Sequence, residues 1–557
     1  MKTHFRPPKM VITSVIALAT AQYSYSSTLY VDATSTNPSQ PYSSWGTAAT
    51  TIQDAVNAAG SGDIVLVAGG TYATGSAPTP GASIASRLVI TKNITVKSVA
   101  GAKVTVIQGA ADPGSASGLG AGAIRCVYMD TGILEGFTLE NGHTTAGSGG
   151  PSDKDLGGGG AVLDQGGVIT NCILTGNRAD YQGGAALLIG GGHIVDSEIT
   201  GNQVERFGGG ACLYSGGIIE GCTITSNSAI NNYGGGIICN WSGGIVRDCM
   251  ISDNTAKLGG GGIYFVNGLS KIYNSKIVNN SAGFAGGICF RNYGEAHSCL
   301  IANNSATGSG GGVSFYYGGR LYNSTVADNV SPQTSKGGGI WISRGAYIHN
   351  GIVWGNTGQN EVEIYDDGSY VISIRNTCAN EGVVNGINGC ITANPYFVDS
   401  TNGIYRLSAS SPCIDSGNNT YKTTSTDVEG QPRQLDGNAD ELSHIDIGAF
   451  EFMSDSVDTD ADGMSDWKEY IADTDATDSN AFFKIENIAN INGDTSVSFY
   501  ASRRRQYTVQ FCEDMSAGGW EDLPGLTQLS GLEGLCQLTD TNTINDTGFY
   551  TVKVALP

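Results

Sequence analysis

The chain has 557 residues, of which 82 are glycine and 14 are proline, and 40% of the residues are apolar. This apolar content is enough to bury a core, so the glycine enrichment indicates many sharp turns and excludes collagen and most disordered low-complexity chains. A formal net charge of −22 disfavours binding to nucleic-acid phosphates over most of the surface and suits divalent cations instead.

The first 21 residues have the pattern of a secretion signal of the bacterial type. Three basic residues precede an apolar run over residues 10–21 that ends in the sequence Ala-Thr-Ala. The run is too short for a stable membrane-spanning helix, and no later stretch approaches the roughly 20 apolar residues required. We expect cleavage after Ala21 and a mature chain that is secreted or peripherally attached to the cell surface, without a transmembrane segment.

Residues 28–72 predict the beginning of a β-structure. The strand TLYVDA is followed by a short helix over residues 51–59 and then by the strand GDIVLVAGGTY. Thr51 and Asp54 form a capping-box-like start for this helix, and Gly60 stands at its end.

One short motif recurs eight times between residues 172 and 356. Each unit reads Cys, Ser or Gly, then x-apolar-x-x-Asn, and most units are followed by a glycine cluster and alternating residues, as in GGGACLY. The closing asparagines are Asn177, Asn202, Asn227, Asn254, Asn280, Asn304, Asn329 and Asn356. The repeat length is about 25 residues, which is typical of solenoid proteins.

Short strands between glycine and asparagine turns predict an all-β fold, a right-handed parallel β-helix with three strands per coil. No unit holds ten residues of helical periodicity, and the framework of leucine-rich repeats is absent. Equivalent residues should therefore stack in columns. We expect the eight asparagines to form a ladder at a turn, where Asn tolerates a left-handed backbone and its amide bonds to the next coil.

The 13 cysteines raise the question of disulfides. Four of them alternate with serine in one inward column, so we interpret them as small buried side chains without partners. This column is Cys172, Ser197, Cys222, Cys249, Ser275, Cys299 and Ser324. Cys378 with Cys390 and Cys512 with Cys536 are candidate disulfides, and the sequence leaves their pairing open.

The GGGI-type clusters alternating with I-x-x-N units resemble the repeats of polymorphic outer-membrane proteins, and residues 28–395 resemble the pectin-lyase-like β-helix superfamily. The resemblance implies that the helix over residues 51–59 covers the open end of the solenoid. It leaves activity open, because the superfamily includes lyases, hydrolases, adhesins and inert surface proteins. Galacturonase motifs are absent from the coils, and residues 120–360 hold no aspartate cluster of the pectate-lyase kind.

An acidic segment carries the sharpest chemical signal in the chain. Its oxygen donors stand at loop positions 1, 3, 5, 9 and 12, with Gly463 at position 6 for the bend, as a large hard cation requires. The donors are Asp458, Asp460, Asp462, Asp466 and Glu469. The segment resembles thrombospondin type 3 and dockerin-like repeats. The sequence therefore predicts a Ca²⁺ site, and the alternative is a solvated acidic linker.

The flanking segments complete the predicted organisation. Residues 396–452 contain SPCIDSG, EGQPRQLDG and DIGAFEF and resemble the choice-of-anchor modules of bacterial surface β-helix proteins, which implies export and surface retention. Strand-like stretches such as QYTVQF and GFYTVKV predict a small β-rich module at the C-terminus. We expect a signal peptide over 1–21, a β-helix over 22–395, the anchor-like module over 396–452, a calcium-binding linker over 453–480 and the C-terminal module over 481–557.

The strands that follow the glycine clusters predict a ridge of outward side chains. Flat rings interleaved with polar groups suit the pyranose faces and hydroxyls of a long glycan. The predicted residues are Asp164, Tyr214, Asn240, Tyr264, Arg291, Tyr316, Trp341 and Ser343. Aromatic residues also favour strands for structural reasons alone. The longer connection over residues 142–157 is either a binding loop or a neutral surface loop.

These observations favour an exported, monomeric, adhesin-like β-helix protein that binds polysaccharide or a cell-surface glycan. The alternative is a secreted polysaccharide lyase or glycoside hydrolase that uses the same face. In that case Arg291, Tyr316 or the 142–157 connection would carry the chemistry.

Overall fold

The computed structural model describes residues 26–150, 152–241, 243–268, 270–332, 337–358, 363–368, 372–438, 442–454, 458, 460–475, 477–491, 494–502, 505–513, 519–530, 534–541 and 548–555. The predicted signal peptide over 1–21 lies outside these residues. No helix within these ranges has the length and apolar character needed to cross a membrane.

Three long sheets, named A, B and C here, form the body of the described chain, and each coil adds one strand to each of them. Sheet A contains Thr28–Val31, Ile64–Val67, Thr95–Ser98, Ile133–Glu135, Val168–Thr170, His193–Val195, Ile218–Glu220, Ile245–Arg247, Lys271–Tyr273, Glu295–His297, Arg320–Tyr322, Ala346–His349 and Ile372–Arg375. Sheet B contains Gly70–Tyr72, Thr105–Gln108, Thr138–Glu140, Ile173–Thr175, Glu198–Thr200, Thr223–Thr225, Met250–Ser252, Lys276–Val278, Leu300–Ala302, Thr325–Ala327, Ile352–Trp354 and Cys378–Ala379.

Sheet C follows the glycine clusters, and a short sheet D lies between B and C in six coils. Sheet C contains Ala77–Pro78, Ala85–Ile90, Ile124–Met129, Ala161–Asp164, Ala186–Ile189, Ala211–Tyr214, Ile237–Asn240, Ile263–Phe265, Ile288–Phe290, Val313–Phe315, Ile340–Ile342 and Ile364–Asp366. Sheet D contains Arg178–Ala179, Gln203–Val204, Ser228–Ala229, Thr255–Gly259, Ser281–Phe284 and Ser305–Ala306. Within sheets A to D the strand pairs are parallel, except the first pair of sheet C. The described chain is therefore a parallel β-helix, as predicted, with sheet D as an addition.

The N-terminal helix α1 (Ile52–Ala58) lies where the sequence predicts it. The Thr51 hydroxyl accepts a hydrogen bond from the Asp54 amide at 3.2 Å and donates to the Asp54 carboxylate at 2.7 Å. The helix buries Ile52, Ala55 and Val56 in the same apolar cluster as the first strands of the solenoid. The helix thus covers the open end of the core.

The eight predicted asparagines form a buried ladder inside the coils. In each contact the side-chain amide of one Asn donates to the side-chain oxygen of the next Asn, as from Asn254 to Asn280 at 3.0 Å. The ladder ends on Glu363, whose carboxylate accepts from the Asn356 amide at 2.7 Å and whose pKa is raised by burial to about 7. The predicted bonding between coils is confirmed.

The predicted backbone conformation of these asparagines is wrong. The left-handed residue is the one before each ladder asparagine, for example Asn279 with a φ of 58° and Asp253 with a φ of 56°. Placing the bend one residue earlier turns the asparagine side chain inward, where its amide reaches the next coil. The ladder therefore depends on two neighbouring positions with different roles.

The glycine clusters allow the coils to approach one another closely. Gly234 adopts a φ of 72°, which favours glycine. A Cβ atom on Gly235 would lie 2.4 Å from the Gly261 carbonyl oxygen and 2.5 Å from that of Thr255. The repeated glycines are thus required by backbone contact at the corner between sheets D and C.

All 13 cysteines are free thiols, and 12 of them are buried. Cys and Ser alternate in the inward column as predicted; the Ser324 hydroxyl, for example, accepts from the Cys299 amide at 3.1 Å. The candidate pairs Cys378–Cys390 and Cys512–Cys536 are not bonded. Cys378 packs instead with Cys413 of the anchor-like module in an apolar cluster.

An anchor-like module, a short helix and a C-terminal module follow the solenoid. The anchor-like module pairs Phe397–Asp399 with Ile404–Leu407 and packs Tyr405, Val428 and Phe450 against the outer face of sheet B. Helix α2 (Asp466–Ala472) precedes the C-terminal module. That module consists of two antiparallel sheets, Ile485–Ile491, Asp494–Ala501 and Gly534–Asp540 in one, and Glu521–Asp522, Gln506–Cys512, Leu529–Ser530 and Phe549–Ala555 in the other. One-turn helices occur at Trp45–Thr47, Ala102–Val104, Ile387–Gly389, Ser400–Asn402 and Asn419–Tyr421.

Candidate functional site

The predicted ridge residues lie in two columns on the outside of sheet C. Asp164, Tyr214 and Asn240 occupy the same position in registered strands. Arg291, Tyr316 and Ser343 directly follow the ends of later strands. Tyr264 and Trp341 lie in the other column. The eight predicted residues therefore do not form one continuous line of exposed side chains.

Tyr264 is not exposed, because an outer layer of side chains covers it. Its ring lies 4.5 Å from that of Tyr233, measured between centroids, and only 4% of the residue is exposed. Phe207 and Tyr233, which directly precede glycine clusters, and Phe284 of sheet D join this outer apolar cluster. The alternation of the strand predicts the direction of Tyr264 correctly, but it gives no information on what covers the side chain.

The other early members of the ridge are partly engaged by neighbours. Asp164 lies 2.5 Å from the Lys154 amine and accepts from the Tyr128 hydroxyl at 3.0 Å. Tyr214 contacts the more exposed Trp241 with ring centroids 6.2 Å apart. The contact with Lys154 ties Asp164 to the 142–157 connection.

The 142–157 connection is held against the coils by a buried cation. Arg125 is fully buried, and its guanidinium donates to the carbonyl oxygens of Gly158 at 2.6 Å and Gly157 at 2.8 Å. Asp155 accepts from the Ser83 amide at 2.7 Å. The described part of this connection is therefore fixed in place.

An exposed aromatic patch lies on three successive coils near the end of sheet C. It consists of Tyr293, Tyr316, Tyr317 and Trp341, and the first three residues are 63%, 41% and 37% exposed. The Tyr316 ring lies 5.2 Å from that of Tyr317 and 5.7 Å from that of Trp341. Tyr293 reaches the patch over Gly318, where a Cβ atom would lie 3.0 Å from the Tyr293 ring.

Polar groups surround the aromatic patch. The Trp341 indole donates to the Asp367 carboxylate at 3.2 Å, and the Arg344 guanidinium lies 4.8 Å from the centroid of the Tyr317 ring. Tyr293 and Tyr317 are absent from the predicted ridge because they lie on the turn after the strand, outside the alternating pattern. The repeated Tyr-Gly pairs at 293–294 and 317–318 were the available signal.

The acidic loop over residues 458–469 brings three of its predicted donors together. One carboxylate oxygen each of Asp458, Asp460 and Asp462 lies within 4.8 Å of the others. The Gly463 amide donates to Asp458 at 2.9 Å, and Gly463 has a φ of 99°, which favours glycine at the bend. Among the described residues this is the only such cluster of three or more histidine, cysteine or carboxylate ligands.

The remaining two predicted donors, Asp466 and Glu469, lie buried in helix α2 and are not part of this cluster of three. Glu469 is 0% exposed, and neither of its carboxylate oxygens finds a hydrogen-bond partner among the described residues. Burial, together with the charges of Asp460, Asp462 and their neighbours, raises the pKa of Glu469 to about 8. A buried carboxylate without a donor, facing further carboxylates, fits a site for a cation of high oxygen coordination.

Comparison with known proteins defines the class of the solenoid. A family model described as "Right handed beta helix region" matches residues 152–294. Together with the parallel sheets, this match shows an all-β right-handed parallel β-helix. No curated protein sequence matches the chain.

Two solved structures resemble the chain at low sequence identity. A pectate lyase, Pel9A, is 15% identical with a TM-score of 0.40, and the match covers 77% of this chain and 97% of the lyase. A rhamnogalacturonan lyase is 12% identical with a TM-score of 0.34, and the match covers 67% of this chain and 91% of that one.

Proposed function

We propose that the chain is an exported or cell-surface β-helix protein that binds polysaccharide through the aromatic patch. The observation that carries this proposal is the grouping of Tyr293, Tyr316, Tyr317 and Trp341 on three adjacent coils. Aromatic faces bury well against the apolar faces of pyranose rings, and neighbouring polar groups pair with hydroxyls. A rigid array of this kind binds an extended glycan without paying to order its own side chains.

The underlying coils support this assignment physically. Trp341 projects from a strand, and the three tyrosines follow the ends of the two preceding strands of sheet C. The inward residues of these strands, such as Phe315 and Ile342, are completely buried. Phe315 stacks on Phe290 with ring centroids 5.0 Å apart, so the backbone beneath the patch is supported by a packed core. The patch is therefore presented on a rigid surface, which favours recognition over a structural role for these rings.

We further propose that Ca²⁺ binds the acidic loop and stiffens the connection between the anchor-like and C-terminal modules. Asp458, Asp460, Asp462, Asp466 and Glu469 would hold the cation through their carboxylate oxygens. The cation supplies the positive charge that the two buried oxygens of Glu469 lack among the described residues. It thereby links the loop to helix α2.

Binding to a glycan array by the full chain tests the polysaccharide proposal. The double variant Tyr316→Ala plus Trp341→Ala should bind at least about tenfold more weakly, since each ring contributes about 1 kcal/mol or more. The control is Trp45→Ala plus Tyr500→Ala, which removes the same two residue types from exposed positions elsewhere. Equal affinity of the patch variant and the control, both with native melting temperature, contradicts the proposal.

The enzyme alternative has a separate readout. Incubation of the chain with acidic glycans, followed by absorbance of unsaturated products and by reducing ends, measures turnover directly. We expect binding without turnover. Turnover that is abolished by Arg291→Ala would instead identify a lyase or hydrolase on this face.

Isothermal calorimetry tests the calcium proposal. The native chain should bind at least one Ca²⁺, and Asp462→Ala plus Glu469→Gln should abolish binding at the acidic loop. The control Asp366→Ala plus Glu381→Gln removes the same charges from exposed positions in the last coils. Unchanged calcium binding by the loop variant would mean that the segment is only an acidic linker.

A further inference from the structure

A cavity of about 960 Å³ lies between the outer face of sheet B and the anchor-like module. Val278 and Leu300 from two coils and Phe450 from the anchor-like module contribute apolar lining. Tyr470 of helix α2 and Arg505 of the C-terminal module also line it. Its size lies at the upper end of the range for small-molecule pockets, and it is distinct from the aromatic patch on sheet C.

Glu429 joins the parts of the chain that surround this cavity. Its carboxylate lies 2.9 Å from the Lys276 amine of sheet B and 2.8 Å from the Arg406 guanidinium, and it accepts from the Tyr470 hydroxyl. Arg505 pairs with Asp473 at 3.1 Å. Asp248 also lines the cavity. The three cations Lys276, Arg406 and Arg505 are therefore matched by the three carboxylates Asp248, Glu429 and Asp473, so the balance of charge does not favour a strongly charged ligand.

The uncharged polar groups of the lining indicate the chemistry of the ligand. The side chains of Asn274, Asn279 and Asn303 face a partly apolar surface. The Asn274 side-chain oxygen is buried and finds no hydrogen-bond donor among the described residues. Amide groups beside apolar carbon match a molecule with many hydroxyls and apolar ring faces.

We propose that this cavity binds a neutral oligosaccharide and that Ca²⁺ at the acidic loop assembles its outer wall. The second half rests on the calcium site proposed above. Glu469, a donor of the loop, directly precedes Tyr470 on helix α2, which has seven residues. A cation that fixes Glu469 also fixes Tyr470, whose ring lies 4.8 Å from the Arg406 guanidinium and whose hydroxyl donates to Glu429.

The experiment measures calorimetric binding of cellohexaose, xylohexaose, maltohexaose and mannohexaose, with hexagalacturonic acid as the charged comparison. The full chain carries Tyr316→Ala plus Trp341→Ala, so that binding at the aromatic patch does not contribute. In calcium we expect at least one neutral hexasaccharide to bind, and hexagalacturonic acid to bind at least tenfold more weakly. Chelation of calcium should weaken the neutral sugar at least fivefold.

Cavity-filling variants locate the binding. Val278→Trp should weaken the neutral sugar at least tenfold, and Met250→Trp, at a more exposed lining position, provides a second variant if the first is unstable. Thr225→Trp is the matched control, because Thr225 lies in the same outward column of sheet B but does not line the cavity. It should leave affinity within twofold.

The outcomes separate this proposal from the calcium site. Failure of every neutral hexasaccharide to bind, or equal binding by the cavity-filling variants and the control, overturns the cavity proposal. Cavity binding that chelation leaves unchanged, in a chain that does bind calcium, overturns the coupling. Absence of calcium binding in calorimetry overturns the calcium proposal itself and leaves the cavity result standing on its own variants.

Discussion

The coils of the solenoid and the junction around helix α2 are stabilised in opposite ways. Each interior coil repeats the same contacts with its neighbours, including an asparagine that bonds to the next asparagine. The junction has no such repetition: it depends on Glu429, which pairs with Lys276 and Arg406, and on a loop of carboxylates. Repetition makes the coils insensitive to events at the end of the chain, whereas the junction responds to charge and to cations.

The largest effect is expected from breaking the asparagine ladder. The Asn254 side chain makes four hydrogen bonds, to Asn280, to the Ile224 carbonyl and from two donors of Asn227. Asn254→Leu leaves the groups of Asn227, Ile224 and Asn280 that bond to this side chain buried and without that partner. The free energy of unfolding should therefore fall by about 3 kcal/mol or more. Urea unfolding measures the loss.

The matched control for this change is Asn231→Leu. Asn231 is exposed, and its side-chain amide donates to the Glu205 carboxylate at 3.1 Å. We expect a loss of about 0.5 kcal/mol or less. Similar losses for both variants would show that the ladder does not stabilise the coils.

Breaking the junction should have a smaller but distinct effect. Glu429→Gln removes the charge that faces Lys276 and Arg406, and should destabilise the packing of the anchor-like module by about 2 kcal/mol. The control Glu220→Gln acts on an exposed pair, with Arg247 at 2.7 Å, and should cost about 0.5 kcal/mol or less. Thermal unfolding of both variants compares them, and equal losses would argue against Glu429 as the centre of the junction.

The low pKa of Glu429 predicts that the stability of the protein depends on pH. Burial alone would raise the pKa of Glu429, but Lys276 and Arg406 outweigh it and lower the pKa from 4.5 to about 2. The charge therefore contributes stability above pH 4.5, and this contribution is lost as the pH falls toward 2. The difference in stability between the native chain and Glu429→Gln should shrink over this window. A difference that stays constant would contradict the assignment.

The smallest effect is expected at the cysteine column. In the same column the Ser324 hydroxyl donates to the Tyr322 carbonyl at 2.8 Å and accepts from the Cys299 amide. In the Cys299→Ser variant the new hydroxyl should form hydrogen bonds of the same kind. The free energy of unfolding should therefore change by less than about 1 kcal/mol. A loss above about 2 kcal/mol in urea unfolding would mean that the thiol has a specific role.

The coils were predicted well from the sequence because the residues that define them recur at a constant spacing. The asparagine ladder and the alternation of Cys299 with Ser324 are visible as columns at a constant spacing. The left-handed positions were misplaced by one residue, since both the ladder asparagine and residues such as Asn279 favour turns. Only the structure shows which of the two side chains enters the core.

The candidate sites were predicted less completely. Alternation shows which way Tyr264 points, but it does not show that Tyr264 is covered by Tyr233, which precedes a glycine cluster, and by Phe284 of the unpredicted sheet D. The contact between Lys276 and Glu429 joins residues 153 positions apart in sequence. Single long-range contacts of this kind leave no signal in one sequence. The acidic loop leaves a clear signal, because its donors lie close together in the sequence.

Hydrogen exchange of the full chain, followed by mass spectrometry in calcium and in chelator, tests the contrast between coils and junction most directly. Calcium should slow exchange in peptides covering residues 460–475, because it fixes the acidic loop to helix α2, and peptides from residues 237–315 should exchange equally in both conditions. Equal exchange of residues 460–475 with and without calcium, or loss of protection in the coils on chelation, would contradict this account.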